Sequence, residues 1–502
     1  MDETTPGEPQ KSAQAVKASD INDLRSTLAF LARIPGQLVS TKVEVDPYLE
    51  IAGVYARVGA GTPVAPPTKI GPAMVFENVK GYDMSVVAGI LASRKRTALL
   101  MGTTLEHLTA DLVKALNRPV APVVVGRDAA PCQEVVIKPP FDLNKVLPAI
   151  ISTPRDAGPF INMGLMRAED PVTGESDVTI HRMCVHGPDR LSVSFTPGRH
   201  IDAFRLKAKE MGQALPVSVS IGVDPAIYLA TSFEAPTTPL GFDELTIAGG
   251  LRNRPVELVQ CVTQNTKAIA RAEIVLEGEF IPGEYADEDA LTGLGWAMPE
   301  FPGYVGTAQQ NLPLFHVTAI THRIDPILQI LVGPGEEHVT LTGLPTEASI
   351  FRLVEDAMPG FLQNVYCHSC GGGKYTAIMQ IKKRLLSDEG RQRQAALTAF
   401  TAFFELKHVI LVDEDVDPFD SADVMWAMTT RYQGDIDTVF IPHVKCHNLD
   451  PSASPEYNML LPTIGVGCKT IFDCTVPFGL KERFERSQFM TVDLEKYLPS
   501  SY

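Results

Sequence analysis

Three residues able to do chemistry stand in one stretch of the chain: Asp177, Arg182 and His200. The sequence around them is typical of two strands, Asp177–Val185 and Leu191–Phe195, joined by a short turn rich in glycine and proline. If these strands pair as a hairpin, Asp177 and His200 meet at the same edge of a sheet, and Arg182 can hold an anion beside them. A carboxylate, an imidazole and an arginine in this arrangement indicate a metal–phosphate site. On its own the signal is weak, because two strands with scattered polar residues usually need no ligand, and an arginine such as Arg182 is more often a surface ion-pair partner.

Three other polar motifs are weaker signals. Cys367 and Cys370 have the spacing of half a zinc site, but no second cysteine pair exists, so free thiols are favoured. The run Asp413–Asp417 is acidic, yet it lacks the spacing of a helix–loop–helix calcium site. The segment Gly371–Lys374 lacks the upstream glycine and the following Ser or Thr of a phosphate-binding loop, so it predicts a turn before a strand.

The composition is that of a globular protein with room for two or three domains: 502 residues, 45% hydrophobic and 21% charged. The formal net charge of -16 argues against binding to nucleic acid or to an anionic membrane surface. No apolar run approaches the ~20 residues of a membrane-spanning helix. Residues 1–20 are polar and lack the apolar centre of a signal peptide, so a disordered arm is expected there. Eight cysteines in a chain of this length do not indicate a disulfide framework, and we predict a cytoplasmic protein.

The elements that must position the reactive residues fall into three groups along the chain. Helical and strand-like runs alternate up to Val125, short strands with Gly and Pro turns then dominate, and helices and strands alternate again towards the C-terminus. A helix is expected at His200–Met211, directly after the candidate hairpin. This order predicts an α/β (α+β) protein with a β-rich centre of barrel or sandwich type.

The segment Asp177–Arg182, which reads D-V-T-I-H-R, resembles the metal- and flavin-binding strand of the UbiD family of decarboxylases. Further segments resemble the same family in the same order: P-G-R-H at 197–200, E-L-T-I-A-G-G at 244–250, P-E-F-P-G-Y at 299–304, and I-L-V-D-E-D-V-D followed by D-V-M-W-A-M-T-T-R. Singly these segments are weak signals, but together they are specific. Segments such as F-E-A-P-T-T-P and L-V-G-P-G-E-E-H are similar to the hydroxyaryl branch, typified by protocatechuate (3,4-dihydroxybenzoate) decarboxylases.

This resemblance implies a three-part architecture. An N-terminal α/β domain comes first, and a central split β-barrel similar to flavin reductases holds the cofactor. A long helix then leads to a C-terminal α/β oligomerisation domain. On this chain the parts are expected at residues 21–126, 127–340, 341–364 (the linking helix) and 365–502.

The resemblance also implies prenylated FMN, a divalent metal (Mn²⁺ or Mg²⁺) and K⁺. The positions that match the family's metal ligands are Asp177, His200 and Glu244, and carboxylate oxygens with one imidazole suit such a cation. The positions that match the cofactor contacts are Thr179, Ile180, Arg182, Cys184, Arg199 and His200. The backbone carbonyls that match the potassium site belong to Val178, Ala230, Thr231 and Phe233.

Two residues match the family's catalytic groups. Arg182 matches the central arginine near the substrate carboxylate, and Glu300 matches the glutamate that protonates the product carbon. Many relatives carry a second glutamate five residues before the proton donor, where this chain has Gly295, so the usual Glu-Arg-Glu network is incomplete at that position. Residues that can replace it are Glu288, Asp289, His322 and His338. His447, and with less support His322, are candidates for contacting the substrate.

The reaction that the resemblance implies is reversible, non-oxidative decarboxylation of a hydroxybenzoate-type acid, such as protocatechuate to catechol. Alternatives are another acid, such as gallate or phenazine-1-carboxylate, a split-barrel flavin-binding reductase, or a non-catalytic paralogue. The lack of G-x-G-x-x-G after a strand argues against the reductase. Expected partners are the aromatic acid, a flavin prenyltransferase that supplies the cofactor, and further copies of the chain as a homodimer or hexamer. The need for a small accessory subunit is open.

Overall fold

The computed structural model of the chain describes residues 17–196 and 198–498. The expected disordered arm lies outside the described residues as far as residue 16, and Ala18–Asp20 form a turn of 3₁₀ helix. Among the helices of the described part, none combines the length and the apolar character needed to cross a bilayer. The eight cysteines all fall within the described ranges, and none is in a disulfide.

The first part of the described chain is a small α/β unit. Its sheet contains three local strands and gains a fourth, Ile327–Ile330, from much later in the chain, in the order first, second, third, Ile327–Ile330. Asp23 caps the first helix, because its side chain accepts the Ser26 N–H at 2.7 Å. The elements are α1 (Leu24–Leu31), β1 (Leu38–Thr41), α2 (Glu50–Gly59), β2 (Ala73–Phe76), β3 (Ser85–Ala88), α3 (Arg94–Met101), α4 (Leu108–Asn117) and β4 (Val123–Val125).

The middle part is rich in strands, as predicted. Its strands are β5 (Val135–Ile137), β6 (Phe160–Ile161), β7 (Leu165–Glu169), β8 (Ser176–Ile180), β9 (Met183–Val185), β10 (Arg190–Val193), β11 (Leu215–Ile221), β12 (Glu257–Gln260), β13 (Lys267–Ile269), β14 (Ile274–Ala286), β15 (Trp296–Pro299), β16 (Val305–Thr307), β17 (Leu312–His322) and β18 (Ile327–Ile330). Its helices are α5 (Leu143–Val146), α6 (His200–Glu210), α7 (Pro225–Ala230) and α8 (Leu245–Arg252).

A nine-stranded antiparallel sheet dominates this middle part. Its strands follow the order β6-β9-β10-β17-β14-β11-β7-β8, and β5 pairs with β17. One small sheet joins β13, β12 and β4, and another joins β15 and β16. Buried side chains from β7, β11, β14 and β17 form one core with α6 and with residues of the N-terminal unit. This core therefore supports the sheet that contains β8 and β9.

The predicted hairpin strand Asp177–Val185 is wrong in one respect, because the chain breaks it at His181 and Arg182. The second half, β9, pairs with β10 as expected, with Val185 opposite Leu191. The first half, β8, pairs instead with β7. Both halves are buried, so the sequence looks like one continuous strand, and the break depends on the tertiary partners of His181 and Arg182.

The C-terminal part begins with the long helix α9, which is Glu336–Ala357 rather than the predicted 341–364. Pro345 lies inside the helix and does not mark its start. The helix begins after Gly335 with two acidic residues in its first turn, where carboxylates stabilise the helix dipole. It stops before Pro359 and Gly360, and Gly360 has a positive φ of 69°. Residues 362–364 of the predicted helix belong to a strand.

A five-stranded sheet follows, in the order β19-β20-β21-β23-β22. Its elements are β19 (Leu362–Cys367), β20 (Thr376–Ile381), α10 (Arg391–Ala402), β21 (His408–Asp413), α11 (Ser421–Thr430), β22 (Thr438–Lys445) and β23 (Val466–Cys474). Short 3₁₀ turns occur at Arg127–Ala129, Pro131–Gln133, Ser369–Gly371, Leu386–Asp388, Phe478–Phe484 and Leu494–Lys496. As predicted, the glycine run before Lys374 is a turn that leads into a strand.

Candidate active site

Asp177, His200 and Glu244 come together from three elements. Asp177 lies on β8, His200 is the first residue of α6, and Glu244 immediately precedes α8. His200 Nδ1 lies 2.9 Å from Asp177 Oδ1. One ligand atom from each of the three residues lies within 4.8 Å of the others. Two buried carboxylates and an imidazole at this spacing form a donor set suited to a divalent cation.

The electrostatics of this cluster favour a cation. Glu244 is buried, and its burial together with the neighbouring Asp177 carboxylate raises the pKa of Glu244 well above its usual value. The Val178 N–H points at the Glu244 carboxylate from 3.4 Å, which only partly compensates. A positive ion between the carboxylates would remove this repulsion.

Two cavities meet beside the cluster. The smaller, of about 80 Å³, is lined by Asp177, His200 and Glu244 and by the N-terminal end of α6. The larger, of about 240 Å³, extends from Thr179 to the C-terminal part of the chain. Both cavities share the same wall residues, which are Thr179, Thr196, Arg199, Phe233 and Glu234. An elongated molecule with a charged end and a flat end fits such a pair of cavities.

Arg182 lines the larger cavity and carries two carboxylates. Its Nε and Nη2 each donate to Glu288 at 2.8 Å, and its Nη1 donates to Glu300. Glu288 follows β14 and Glu300 follows β15, so two different strand ends meet at the break between β8 and β9. Glu288 also accepts the Gln309 N–H at 3.0 Å, which fixes its orientation.

The surroundings of Glu300 make its carboxyl group a weaker acid than that of an exposed glutamate. Burial raises the pKa of its carboxyl group, Arg182 opposes that shift, and the nearby Glu288 adds to it. Gly306 packs directly behind this side chain, since a Cβ at that position would lie 2.9 Å from Glu300 Cγ and 3.5 Å from Arg182 Nη1. A buried carboxyl group with a raised pKa is suited to donate a proton near neutral pH.

The structure identifies the residue that completes the Arg182 network. Gly295 adopts a positive φ of 76° in open space, and its N–H donates to Asp289 Oδ2 at 2.7 Å. Asp289 is therefore engaged with this turn and not with Arg182. The carboxylate on Arg182 is Glu288, one of the four residues that the sequence left open.

The C-terminal part closes the larger cavity. Lys374 Nζ lies 3.2 Å from both Glu234 and Glu405, and Glu234 also accepts from Arg199 Nη2 at 2.7 Å. His447 Nε2 lies 3.3 Å from Glu405. Although burial opposes ionisation, Arg199 and Lys374 hold the pKa of Glu234 below its usual value. This cluster connects Arg199 and Glu234, in the wall shared by the two cavities, to the C-terminal part of the chain.

Aromatic contacts join the Glu300 loop to the same wall. The Phe301 ring lies 4.8 Å from the His447 ring and 5.5 Å from the His338 ring, both edge to face. Tyr375 packs on Phe301 at 5.1 Å from the other side. Gly372 permits this packing, because a Cβ there would lie 2.3 Å from Phe301. The residue after this glycine run is Lys374, which thereby reaches the cavity.

Two further histidines line the cavity as neutral groups. Burial lowers the pKa of His181 and of His338 to about 3 in each case, with Arg199 and Lys374, respectively, adding to the effect. His181 Nε2 and His338 Nδ1 are buried without a hydrogen-bond partner in the described part of the protein. Two neutral imidazoles therefore contribute polar atoms, and no positive charge, to the cavity wall.

Sequence comparison identifies the family. Three models match in succession: the N-terminal domain of 3-octaprenyl-4-hydroxybenzoate carboxy-lyase at residues 31–116, its Rift-related domain at 123–336 and its C-terminal domain at 339–474. The gallate decarboxylase of Lactiplantibacillus plantarum is 48% identical over 95% of this chain and 99% of its own. The chain belongs to the UbiD family.

Solved UbiD structures have the same fold. The apo structure of 3,4-dihydroxybenzoic acid decarboxylase from Enterobacter cloacae is 55% identical, covers 96% of this chain and 100% of its own, and superposes with a TM-score of 0.91. An evolved dimeric form of the UbiD-class enzyme HmfF from Pelotomaculum thermopropionicum, in complex with prFMN, is 32% identical with a TM-score of 0.80 and covers 95% and 99% of the two chains. This protein is therefore a UbiD-type carboxy-lyase of mixed α/β, multi-domain architecture.

Most positions matched to the UbiD cofactor and metal sites reach one of the two cavities. Thr179, Ile180, Arg182 and Arg199 line the larger cavity, together with Thr231, Phe233, Glu300 and His447. Val178 lines the smaller one. Ala230 lies at the end of α7, where its carbonyl already accepts the Phe233 N–H at 3.3 Å.

Besides Ala230, two predicted site residues do not line either cavity. The Cys184 side chain packs in a small buried cluster with Ala157, Phe160 and Met298, because alternation along β9 turns it away from the cavity. His322 lies at the end of β17, where its Nδ1 contacts the Arg323 carbonyl at 2.7 Å. The structure therefore does not support His322 as a substrate contact or as a replacement at Gly295.

Lys374, Glu234, Glu405 and His181 lie at the site but were not among the predicted residues. Lys374 follows three consecutive glycines, and that run was the available signal of a close backbone approach. Glu405 is a single carboxylate in a loop, and nothing in its local sequence distinguishes it from a solvent-exposed acid. Glu234 lies in F-E-A-P-T-T-P, a segment similar to the hydroxyaryl branch, but its contacts with Arg199 and Lys374 are made across the chain.

Proposed function

We propose that this protein catalyses the reversible, non-oxidative decarboxylation of a hydroxybenzoate such as protocatechuate, with prenylated FMN as the cofactor. The observation that carries the proposal is the Glu288–Arg182–Glu300 arrangement at the wall of the larger cavity. It places a fixed cation for a substrate carboxylate beside a buried proton donor.

Arg182 is proposed to orient the substrate carboxylate. Guanidinium carries five N–H donors, of which three are used by Glu288 and Glu300. The two that remain lie on Nη1 and Nη2, the geometry that a carboxylate accepts. Glu288 holds the plane of the guanidinium, so the orientation of the bound acid is set before the reaction.

Glu300 is proposed to deliver the proton that replaces CO₂ on the ring carbon. Its raised pKa favours the protonated form more than in an exposed glutamate. Arg182 touches both the proton donor and, in this proposal, the leaving carboxylate. The same guanidinium therefore couples departure of CO₂ to the position of the proton.

The residues present fit the proposed cofactor. Asp177, His200 and Glu244 would hold a divalent metal against its phosphate in the smaller cavity, and the unpartnered His181 nitrogen marks a polar wall where the flat part would lie. Thr179, Ile180 and Arg199 would contact it between the two cavities. When bound, prenylated FMN supplies the electron sink that cleavage of an aryl–carboxylate bond requires and no side chain provides.

The finer assignments extend this proposal. K⁺ would be held by the backbone carbonyls of Val178, Ala230, Thr231 and Phe233. The nine-stranded sheet would be the split β-barrel of a domain at 127–340. The other two domains would lie at 21–126 and 365–502. Oligomerisation through the C-terminal part, cofactor supply by a flavin prenyltransferase and a cytoplasmic location belong to the same proposal.

A single hydroxylated ring suits the cavity better than a fused heteroaromatic acid. The volume of about 240 Å³ must hold the flat part of the cofactor as well as the substrate. Lys374 and His447 line the same cavity beside Phe301, where Lys374 can donate to a ring hydroxyl. The 48% identity to a gallate decarboxylase makes gallate the second candidate substrate.

The test is CO₂ release from a panel of acids by protein co-expressed with a flavin prenyltransferase and supplied with Mn²⁺ and K⁺. The panel contains protocatechuate, gallate, 4-hydroxybenzoate, cinnamate and phenazine-1-carboxylate, with Glu300→Gln as the inactive variant. Turnover of a catechol acid that is lost in the variant supports the proposal. Turnover confined to an acid without a ring hydroxyl would overturn the substrate class.

A further inference from the structure

Glu405 is a buried carboxylate with two nitrogen partners at the cavity wall. It lies in the loop between α10 and β21 and is 2% exposed. Its Oε2 lies 3.2 Å from Lys374 Nζ and 3.3 Å from His447 Nε2. The two nitrogens thus converge on one oxygen atom, and both residues line the larger cavity.

Hydrogen bonding on the other side of the ring fixes the tautomer of His447. The Leu449 N–H donates to His447 Nδ1 at 3.0 Å, so Nδ1 must be the acceptor. The proton of the neutral ring therefore lies on Nε2, the nitrogen that faces Glu405. An imidazole held in this way directs its single N–H at Glu405 and fixes the position of that carboxylate.

Lys374 is fixed as a donor by the same carboxylate. It is 7% exposed, and its ammonium group is neutralised by Glu234 and Glu405 together. Two of its three N–H donors are used by these carboxylates, which leaves one for a bound molecule. The Phe301 ring lies 5.8 Å from Nζ and limits where that donor can point.

We propose that Glu405 is a positioning residue for recognition of a ring hydroxyl: His447 orients Glu405 through its single N–H, and Glu405 holds Lys374 so that the remaining Lys374 N–H is directed at one oxygen of the substrate. This inference rests on the proposed function and adds to it a residue that does not itself touch the substrate. Because the remaining Lys374 group is a donor, the substrate oxygen acts as an acceptor. The site therefore favours the more electron-rich oxygen of a phenol or phenolate over a methoxy group or hydrogen.

The charged and titratable neighbours of Glu405 come from several elements. They are Lys374 before β20, His447 after β22, Lys469 on β23, Arg199 at the start of α6 and Glu234 after α7. Lys469 is already used, since its ammonium donates to the Phe404 and Leu406 carbonyls. Removal of the Glu405 charge leaves Glu234 as the carboxylate that supports Lys374.

The test measures binding without turnover, by isothermal titration of full-length protein loaded with unmodified FMN. The ligands are 3,4-dihydroxybenzoate and benzoate, and the proteins are wild type, Glu405→Gln, Glu405→Asp, His447→Asn and the double variant of Glu405→Gln with His447→Asn. Glu456→Gln, an exposed acid outside both cavities, is the matched control. Thermal melting and FMN affinity report whether each variant is folded.

We expect Glu405→Gln to weaken 3,4-dihydroxybenzoate binding about tenfold and benzoate binding less than twofold, as removal of a charge-assisted contact predicts. The alkaline limit of dihydroxybenzoate binding should move to lower pH, because Lys374 loses part of its support. In the His447→Asn background the effect of Glu405→Gln should shrink to about twofold or less, and Glu405→Asp should recover part of the affinity.

Three results would overturn the proposal. Equal losses for both ligands would make Glu405 a general structural residue, and an undiminished loss in the double variant would show that it does not act together with His447. If wild type prefers 3,4-dihydroxybenzoate and Glu405→Gln keeps that preference, the positioning role of Glu405 is refuted and the proposed function is not. Wild type that binds neither acid would refute both.

Discussion

Arg182 and Glu288 form a two-point ion pair between residues 106 positions apart in the sequence, with both Nε and Nη2 donating at 2.8 Å. The pair is buried, and Glu288 is fixed in turn by the Gln309 N–H. Glu288, which does not line the larger cavity, therefore fixes the plane of the Arg182 guanidinium, which does. A glutamate at position 295 is therefore not needed to build this arrangement.

The first prediction is that Glu288→Gln lowers kcat of the loaded enzyme about a hundredfold while the protein still folds, because a misplaced guanidinium loses the reactive geometry. Glu288→Ala should also destabilise the protein by ~1–3 kcal/mol, since it leaves Nε and Nη2 of the buried Arg182 without their acceptor, with Glu300 as the remaining carboxylate partner. Kinetics with the preferred acid and urea unfolding measure the two effects. Asp289→Asn is the matched control, because that carboxylate holds the Gly295 turn. Equal losses in both variants would contradict the assignment to Glu288.

The second prediction concerns Gly306, which packs behind the proton donor. A Cβ there would lie 2.9 Å from Glu300 Cγ, so Gly306→Ala should displace the Glu300 side chain. We expect kcat to fall about tenfold with little change in KM, together with ~1–3 kcal/mol of overpacking strain. Gly126→Ala is the control, because its φ is -72° and nothing lies within 4 Å of its Cβ position. Normal kcat in Gly306→Ala would mean that Glu300 adjusts freely.

How much of this was predictable from the sequence depends on how local each signal is. The contact between Asp177 and His200 was predicted and is present at 2.9 Å, although β8 and α6 produce it rather than a simple hairpin. The break at His181 and Arg182 was missed, because buried residues on both sides look like one strand. The limits of α9 were wrong because the helix begins directly after Gly335 with the acidic turn at Glu336 and Glu337, and ends before Pro359 and Gly360.

The residues that complete the site were the least predictable. Glu288 could only be named as one of four options, because its contact with Arg182 spans two distant strand ends. Glu405 and Glu234 gain their roles from partners in other parts of the chain. The assignments of Thr179, Ile180 and Arg199 to cofactor contacts and of Glu300 to proton donation stay predictions.

The third prediction concerns the pH dependence of turnover. Glu300 must carry a proton to donate it, and burial raises its pKa. The rate of the protonation step should therefore be high below that pKa and fall as the pH rises through it. Glu300→Gln should lose turnover yet still bind the acid, and Glu284→Gln, which lies outside both cavities, should keep the wild-type profile. A rate that still increases with pH above 9 would contradict this role.

The fourth prediction concerns the metal cluster of Asp177, His200 and Glu244. Mn²⁺ should raise the melting temperature of the FMN-loaded protein, and an excess of chelator should reverse the shift. A cation at a hundredfold excess over its Kd stabilises a protein by ~2.7 kcal/mol, which sets the expected size. His200→Ala should abolish the shift, whereas His316→Ala, at a surface pair with Glu284, should not. An equal shift in both variants would place the metal elsewhere.

The fifth prediction concerns stability and the two acids that begin α9. Burial raises the pKa of Glu336 and of Glu337 to about 7, and Glu337 accepts the Gly89 and Leu91 N–H groups at 2.8 and 2.9 Å. A raised pKa in the folded state means that the folded protein binds more protons than the unfolded chain. The stability that these protons provide is complete below about pH 4.5 and is lost as the pH rises through about 7.

Urea unfolding between pH 5 and pH 8 should show this loss, up to ~1.4 kcal/mol per pH unit for each group. The amide introduced by Glu337→Gln cannot ionise. It has one oxygen that can accept a hydrogen bond, where the carboxylate has two. The variant should therefore be less stable than wild type at pH 5, and the difference should narrow or reverse by pH 8. Glu336→Gln should remove a similar part of the slope, and exposed Glu456→Gln should leave it unchanged. Parallel pH profiles for wild type and Glu337→Gln would contradict this origin of the pH dependence.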